Sequence, residues 1–528
     1  MDYDYVIVGA GSAGAVLAAR LSADPAVQVA LVEAGPDYLS AQTPDAIKSP
    51  NPHTVITGEA LAPYRWDTLM ARRTRAQEPR TYWRGRGVGG SSAINGQIAI
   101  RGVPEDYDNW AAGGCEGWSF ADVLPAFNRL ETDLIYGAQP YHGDAGPIPI
   151  YRAPVSRWGS VDQAVAEAAL SAGHPWAPDH NAPRTTGVSP YAINNRDGVR
   201  VSTNDGYLEP SRGRNNLAVF GEAHVDRVLF DGTRAVGVRL RTAGAWREVR
   251  GGTVILSAGA VHTPAILLRS GVGPAEHLRG LDIAVRADLP VGEGFQDHPA
   301  VFLPVRLEPA AQPPRGFRHT NCCVRYSSGL AGAGPNDMMI VAMNRFGDSL
   351  GQHLAADAEP MFGLIGVWVN QCLSRGSVRL ASADPFAQPI VEENMLDDPS
   401  DVARLRDGIR RLLAMRHHPA VAAIGRPMWT LADDASDAEI DAFALANCGD
   451  TQHATSTCAM GAAGAATTVV DTDCRVLGFE GLRVIDASVM PSVVRANTHL
   501  TTVMIAERMA GRLGAPLPPG HADSMRDA

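Results

Sequence analysis

Six residues near the start of the chain, Gly9-Ala10-Gly11-Ser12-Ala13-Gly14, carry the glycine spacing that brings backbone N–H groups against a pyrophosphate. Gly9 permits the tight turn, Gly11 lets the main chain approach the phosphates, and Gly14 lets a helix pack closely on a strand. The strand is expected over 5–8, and a helix over 12–21 aims its partly positive N-terminus at the same place. Glu33 follows Gly14 by nineteen residues and ends a second strand, 29–32. A carboxylate there accepts hydrogen bonds from both ribose hydroxyls and repels a 2′-phosphate, so an adenine dinucleotide other than NADP is expected. A later turn, Gly87-Val88-Gly89-Gly90-Ser91-Ser92, offers clustered N–H groups and little side-chain bulk, which suits a flat ring or a phosphate.

The elements that must hold these turns are scattered. Short apolar runs at 217–220, 225–230 and 235–240 read as strands, and 254–256, running into Ser257-Ala258-Gly259, reads as a buried parallel strand. Alternation at 338–343, 362–369 and 377–380 predicts a largely antiparallel sheet. Helices are expected over 161–172, 399–418, 436–446 and 498–512, a loop followed by a helix over 106–130, and a short strand over 482–487. The fold class is therefore α/β: a Rossmann-like dinucleotide-binding domain built from the discontinuous segments 1–154, 200–299 and 451–513. A mainly antiparallel substrate domain, 155–199 and 300–450, is inserted into it, and 514–528 is a mobile tail.

Composition narrows the partners. The 528 residues are 45% hydrophobic and 20% charged, as in a soluble globular protein of more than one domain. A formal charge of −11 argues against nucleic acid or an anionic membrane surface, and no apolar run is long enough to cross a bilayer. The first strand leaves no room for a signal peptide, so a cytoplasmic protein is expected. Seven scattered cysteines suit reduced thiols. No metal-ligand cluster is evident; the His417-His418 pair has no partners at ligand spacing.

Three further segments set the family expectation. Gly85–Asn95 is followed by Arg101-Gly102 and Asp106-Tyr107-Asp108. Gly259-Ala260-Val261-His262-Thr263-Pro264 runs on to Ser270-Gly271-Val272-Gly273. Near the C-terminus stand His453-Ala454-Thr455-Ser456-Thr457-Cys458-Ala459-Met460-Gly461, Asp486-Ala487-Ser488 and Asn497. Together with the first glycine turn, and in this order from about residue 4 to about 512, they resemble the FAD-dependent glucose–methanol–choline (GMC) oxidoreductases. The resemblance implies FAD contacts at Gly9, Gly11, Ser12, Ala13, Gly14, Glu33 and Ala34, and at Arg86, Val88, Gly90 and Ser91. It also implies contacts at Asn95, Gly96 and Ile98 beside the isoalloxazine, at Val225 against the adenine, and at Ala258, Asp486, Ala487, Thr498 and His499. Some relatives bond FAD to a histidine where this chain has Ile94, so non-covalent FAD is expected.

His453 and Asn497 resemble the family's catalytic pair. An alcohol yields hydride readily only as its hydroxyl proton departs, and imidazole suits that base. Asn497 holds the same oxygen, and its position also suits an N-cap of the final helix, whose N-terminus faces the flavin edge. Trp368 and the run His142–Ile150 resemble bacterial hydroxymethylfurfural oxidase; with Gln452 and Ile98, Trp368 is expected in the substrate pocket. The expected reaction oxidises a primary, aryl or furanic alcohol to the aldehyde, with O2 reoxidising the flavin. A dehydrogenase using a quinone or protein acceptor, and a redox-silent hydroxynitrile lyase, remain as alternatives.

Overall fold

The computed structural model describes residues 2–52, 58–314, 316–346 and 361–516; the expected tail therefore lies outside them from 517 on. Five parallel strands form the floor of the first half, in the order Leu217–Phe220, Val29–Val32, Tyr3–Val8, Ala245–Leu256 and Leu482–Val484. Val6 lies opposite Ala30 on one side and Val254 on the other, and all three are fully buried. This double burial explains why these strands read as unbroken apolar runs. The first part of Ala245–Leu256 extends past the parallel sheet and pairs antiparallel with Arg234–Thr242, which pairs with His224–Asp231. Strands from three distant stretches of chain thus share one sheet.

The second sheet is antiparallel throughout, in the order Gly425–Pro427, Ala300–Leu307, Phe362–Val369, Met338–Phe346, Cys322–Tyr326 and Gly187–Pro190. Its two faces are told apart by alternation. Val301, Leu303, Ile340, Ile365 and Val367 point into a core that also holds helix residues Val161, Val165, Leu405 and Ile409. Their neighbours Ala300, Val341 and Trp368 point the other way, into the core shared with the parallel sheet.

Local details differ from the sequence reading. Residues 106–130 hold two helices, Pro104–Ala112 and Phe120–Leu130, because Pro104 and Ser119 each open one. The first helix runs Gly14–Leu21, the preceding residues forming a turn. Gly14 does what its spacing required: a Cβ there would meet the Gly9 carbonyl oxygen at 1.8 Å. The helix 399–418 ends at Met415, and the last helix runs His499–Arg512. No helix among the described residues is long and apolar enough to cross a membrane.

Candidate active site

A cavity of about 1430 Å³ runs between the two sheets. That exceeds the roughly 300–1,000 Å³ of an ordinary small-ligand pocket, so it has room for a long ligand and a substrate together. Its wall includes Gly9, Gly11, Ser12, Ala13, Glu33, Ala34, Val225 and Ala258, and also Ile98, Trp368, Gln452, His453 and Asn497. Gly90, Ser91, Asn95, Gly96, Asp486, Ala487, Thr498 and His499 line it as well. Gly14, Arg86 and Val88 do not line it. Gly14 is packed beneath the turn, Arg86 donates to the Ala34 carbonyl at 2.8 Å, and Val88 is buried, its carbonyl accepting from Tyr38.

The carboxylates of this wall are already engaged. Glu33 accepts from the N–H groups of Ala10, Gly35 and Gly87 at 2.8–2.9 Å, which ties both glycine turns together. Asp486 accepts from Gly259 N–H, the Thr263 hydroxyl and Ser488, fixing the start of helix Gly259–Arg269.

The FAD that the sequence implies fits this wall. The glycine turn is held open by a backbone that only Gly9 (φ +96°) readily adopts. Asn497 Oδ1 and both ring nitrogens of His499 are buried without a hydrogen-bond partner, in residues that line the cavity. Buried polar atoms are rarely left so, and a polar cofactor is the natural partner. Ile94 also lines the cavity, and its side chain offers no atom for a covalent bond to a flavin.

In the same wall, His453 sits in a loop after helix Asp437–Asn447 and is only 7% exposed. Asn497 Nδ2 donates to its Nε2 at 3.0 Å. Here the N-cap expectation is corrected: the helix opens at His499, no side chain caps it, and the Asn497 amide is used on His453. The other ring nitrogen, Nδ1, meets Thr451 Oγ1 at 2.7 Å and His298 Nδ1 at 2.8 Å. His298 Nε2 lies 3.0 Å from the Val494 carbonyl. Beneath them Asp297 accepts four bonds: Oδ1 from His298 N–H and the Thr451 hydroxyl, Oδ2 from His453 N–H and the Tyr82 hydroxyl. Arg84 donates to Tyr82 and, at 2.7 Å, to the carbonyl of Gln452, which is held at φ +63° beside His453.

Electrostatics follow from this packing. Burial, with His298 and Arg84 nearby, holds the His453 pKa well below the usual imidazole value, so it is neutral near pH 7. Burial likewise lowers His298 and His499, each to about 4. Burial and the nearby Asp450 raise Asp297 to about 6.

Sequence spacing missed Tyr82, Arg84, Asp297, His298 and Thr451. The signal was the polar run Gln296-Asp297-His298 set directly before an apolar strand, where such residues belong only if they serve each other. Folding also gathers two acid–histidine groups that spacing did not reveal, Asp297/His298/His453 and Glu131/Asp133/His142. In the second, Arg101 and Arg152 pair with Glu131 and Asp133 at 2.6 and 2.8 Å, satisfying the charge that a cation would need.

Aromatic side chains stand beside His453 in this wall. Trp368 stands edge-on to His453 with ring centroids 6.3 Å apart, its indole N–H bonded to Asn370. Gly366 makes room for Phe302, whose ring would lie 2.5 Å from a Cβ at that position.

The chain belongs to the GMC oxidoreductase family: residues 3–300 and residues 373–506 each match a GMC oxidoreductase model. These are flavin-dependent enzymes that act on CH–OH groups. It is 37% identical to 5-(hydroxymethyl)furfural oxidase of Methylovorus sp. (strain MP688), over 96% of this chain and 98% of that one. It is equally, 37%, identical to oxygen-dependent choline dehydrogenase 1 of Chromohalobacter salexigens, over 99% and 97% of the two chains. Among solved structures, pyridoxine 4-oxidase from Mesorbium loti superposes with a TM-score of 0.88 at 29% identity, covering 97% of this chain and 99% of that one.

Proposed function

We propose that the protein oxidises a primary aryl or furanic alcohol to the aldehyde, with non-covalently held FAD as hydride acceptor and O2 as the final oxidant. The observation that carries this reading is the His453–Asn497 hydrogen bond in the wall of the same cavity that the Gly9–Gly14 turn lines. His453 Nε2 takes the hydroxyl proton, and Asn497 fixes the same oxygen so that the carbinol C–H faces the cofactor. When bound, FAD supplies the acceptor for the two electrons and the hydrogen that leave the carbinol carbon. Burial keeps His453 neutral, so it is ready to accept a proton at pH 7. Ile98, Phe302 and Trp368 add apolar surface to the wall, and the two rings offer flat faces to an aromatic alcohol.

The likeness to the furfural oxidase supports an aryl or furanic substrate, whereas the choline dehydrogenases suggest a cationic one. The wall favours the neutral alcohol. Its carboxylates Glu33, Asp450 and Asp486 are engaged by the protein, Asp450 by Arg73 at 2.5 Å, and the Arg84 guanidinium lies next to Gln452.

The test is the visible spectrum of the flavin on anaerobic mixing with hydroxymethylfurfural, benzyl alcohol or choline, followed by admission of air. Bleaching by the first two and rapid recovery with peroxide are expected. Bleaching by choline alone would reverse the substrate assignment, slow recovery would make the enzyme a dehydrogenase, and no bleaching with any alcohol would leave the lyase.

A further inference from the structure

Two proton commitments at the base converge on one outcome. His298 Nε2 meets the Val494 carbonyl at 3.0 Å, and the Asn370 backbone is a second partner of the ring. A carbonyl cannot donate, so Nε2 carries the proton, and the neutral ring's Nδ1 is an acceptor. That acceptor lies 2.8 Å from His453 Nδ1. Independently, the Thr451 hydroxyl donates to Asp297 Oδ1 at 3.0 Å, which leaves its oxygen lone pairs for His453 Nδ1 at 2.7 Å. Both neighbours of Nδ1 therefore require a proton on it. On the far side, the Asn497 amide N–H points at Nε2 at 3.0 Å and requires a lone pair there.

We infer that His298 and Thr451 are positioning residues that lock His453 in the Nδ1–H tautomer, leaving on Nε2 the lone pair that the Asn497 amide holds here and that the substrate hydroxyl takes when it displaces that amide. Asp297 is the hub of the device. Its four accepted bonds hold the backbones of His298 and His453 in place and commit the Thr451 proton. When Nε2 gains the substrate proton, the Nδ1–H bonds to His298 and Thr451 become charge-assisted and stabilise the imidazolium without any atom moving far. Two acceptors on one N–H make the lock redundant: removing either leaves the other, and removing both frees the ring to take the unproductive tautomer.

The lock rests on the reading of His453 as base, but its tautomer is observable without turnover. In the holoenzyme labelled with 15N-histidine, near pH 7.5, His453 resonances are those lost in His453→Gln. A pyrrole-type Nδ1, a pyridine-type Nε2 and a coupling between the Nδ1 atoms of His298 and His453 are expected. A protonated Nε2 overturns the lock even if the enzyme oxidises alcohols normally. Conversely, the expected spectrum together with full activity in His453→Ala would leave the lock standing and remove the functional reading.

Variants supply the kinetic arm. His298→Phe and Thr451→Val each keep bulk and remove one acceptor, and each is expected to slow anaerobic flavin reduction about tenfold. The double variant should lose about 10³–10⁴-fold, more than the product of the two, in line with enzymes whose base is trapped in the wrong tautomer. Thr451→Ser, added to His298→Phe, should restore the single-variant rate, which a purely structural role of the side chain would not predict. Additive losses in a double variant that retains its flavin overturn the redundancy. Should that variant fail to hold flavin, the wild-type spectrum decides.

Discussion

Two buried histidines in this molecule meet acids and other histidines in opposite ways. His142 lies between Glu131 and Asp179, with ring nitrogens 2.5 and 2.8 Å from their carboxylates. Burial opposes its charge, but hydrogen bonds to Asp179 and Glu131 outweigh burial and raise its pKa. Arg101 and Arg152 complete the balance of cations and acids. His453 is equally deep, yet no carboxylate touches its ring. Asp297, the nearest acid, spends its oxygens on backbone N–H groups and hydroxyls instead. Direct contact with acid favours an imidazolium that bolts segments together; an acid held one bond away orients a ring and leaves it basic.

The sharpest way to break the comparison is to exchange outcomes. His453→Ala should keep its flavin and its stability while anaerobic reduction by alcohol slows about 10²–10⁴-fold. Near-normal reduction would remove it as the base. His142→Leu should do the reverse, leaving Glu131 and Asp179 buried without their partner and costing about 3–5 kcal/mol in denaturant unfolding. Flavin reduction per folded molecule should be unchanged; a selective loss of rate would mean that the bolt reaches the site. The sign of its pH dependence is fixed. A histidine whose folded pKa is raised contributes fully below the unfolded value of about 6.5, and the contribution disappears as pH rises through the folded value. The wild-type protein should therefore lose this increment on the alkaline side, and His142→Leu should not.

A smaller effect sharpens the catalytic side. Asp297 is faced by Tyr82, Arg84, Asp450, Glu393, His298 and His453, and its pKa is raised to about 6. Protonation there requires one of its oxygens to donate and releases the Thr451 proton toward His453. Because His298 still accepts from Nδ1–H, flavin reduction should fall by about tenfold in all across that value and then level off, a step absent in Asp297→Asn. An unchanged step would assign it elsewhere. The smallest expected change is at the aromatic edge over the base: Trp368→Ala should raise KM for benzyl alcohol by about tenfold with little change in kcat, the size of one lost aromatic contact. No change would make Trp368 a packing residue only.

Legibility in the sequence followed locality. The strand–turn–helix around Gly9–Gly14 was readable because its chemistry is confined to a few consecutive residues, each glycine answering a steric demand. The pairing of His453 with Asn497 came from a resemblance, since forty-four positions separate them and no periodicity joins them. Asn497 was misread as a cap because a side-chain amide before a helix has two possible uses, and only the approach of the 453 loop decides between them. The hub at Asp297 was invisible for a further reason. It links residues near 82, 297, 451 and 494, which only the folded chain brings together. Trp368 was placed by its resemblance, and the alternation of its strand accounts for that placement, Val367 and Val369 facing the opposite core.

The shared parallel sheet has a consequence for how the molecule is made. The first glycine turn leaves the ribosome long before the wall facing it is completed by Asp486, whose carboxylate fixes the helix starting at Gly259, and by strand Leu482–Val484 alongside Ala245–Leu256. Arg20 waits for its partner Glu507, 2.7 Å away in the finished fold. At about 5–20 residues per second, translation leaves the glycine turn without the far wall of its cleft for tens of seconds. The cleft is thereby left open on one side until the 480s have emerged, and a chain that stops before them lacks the carboxylate and the strand that complete it.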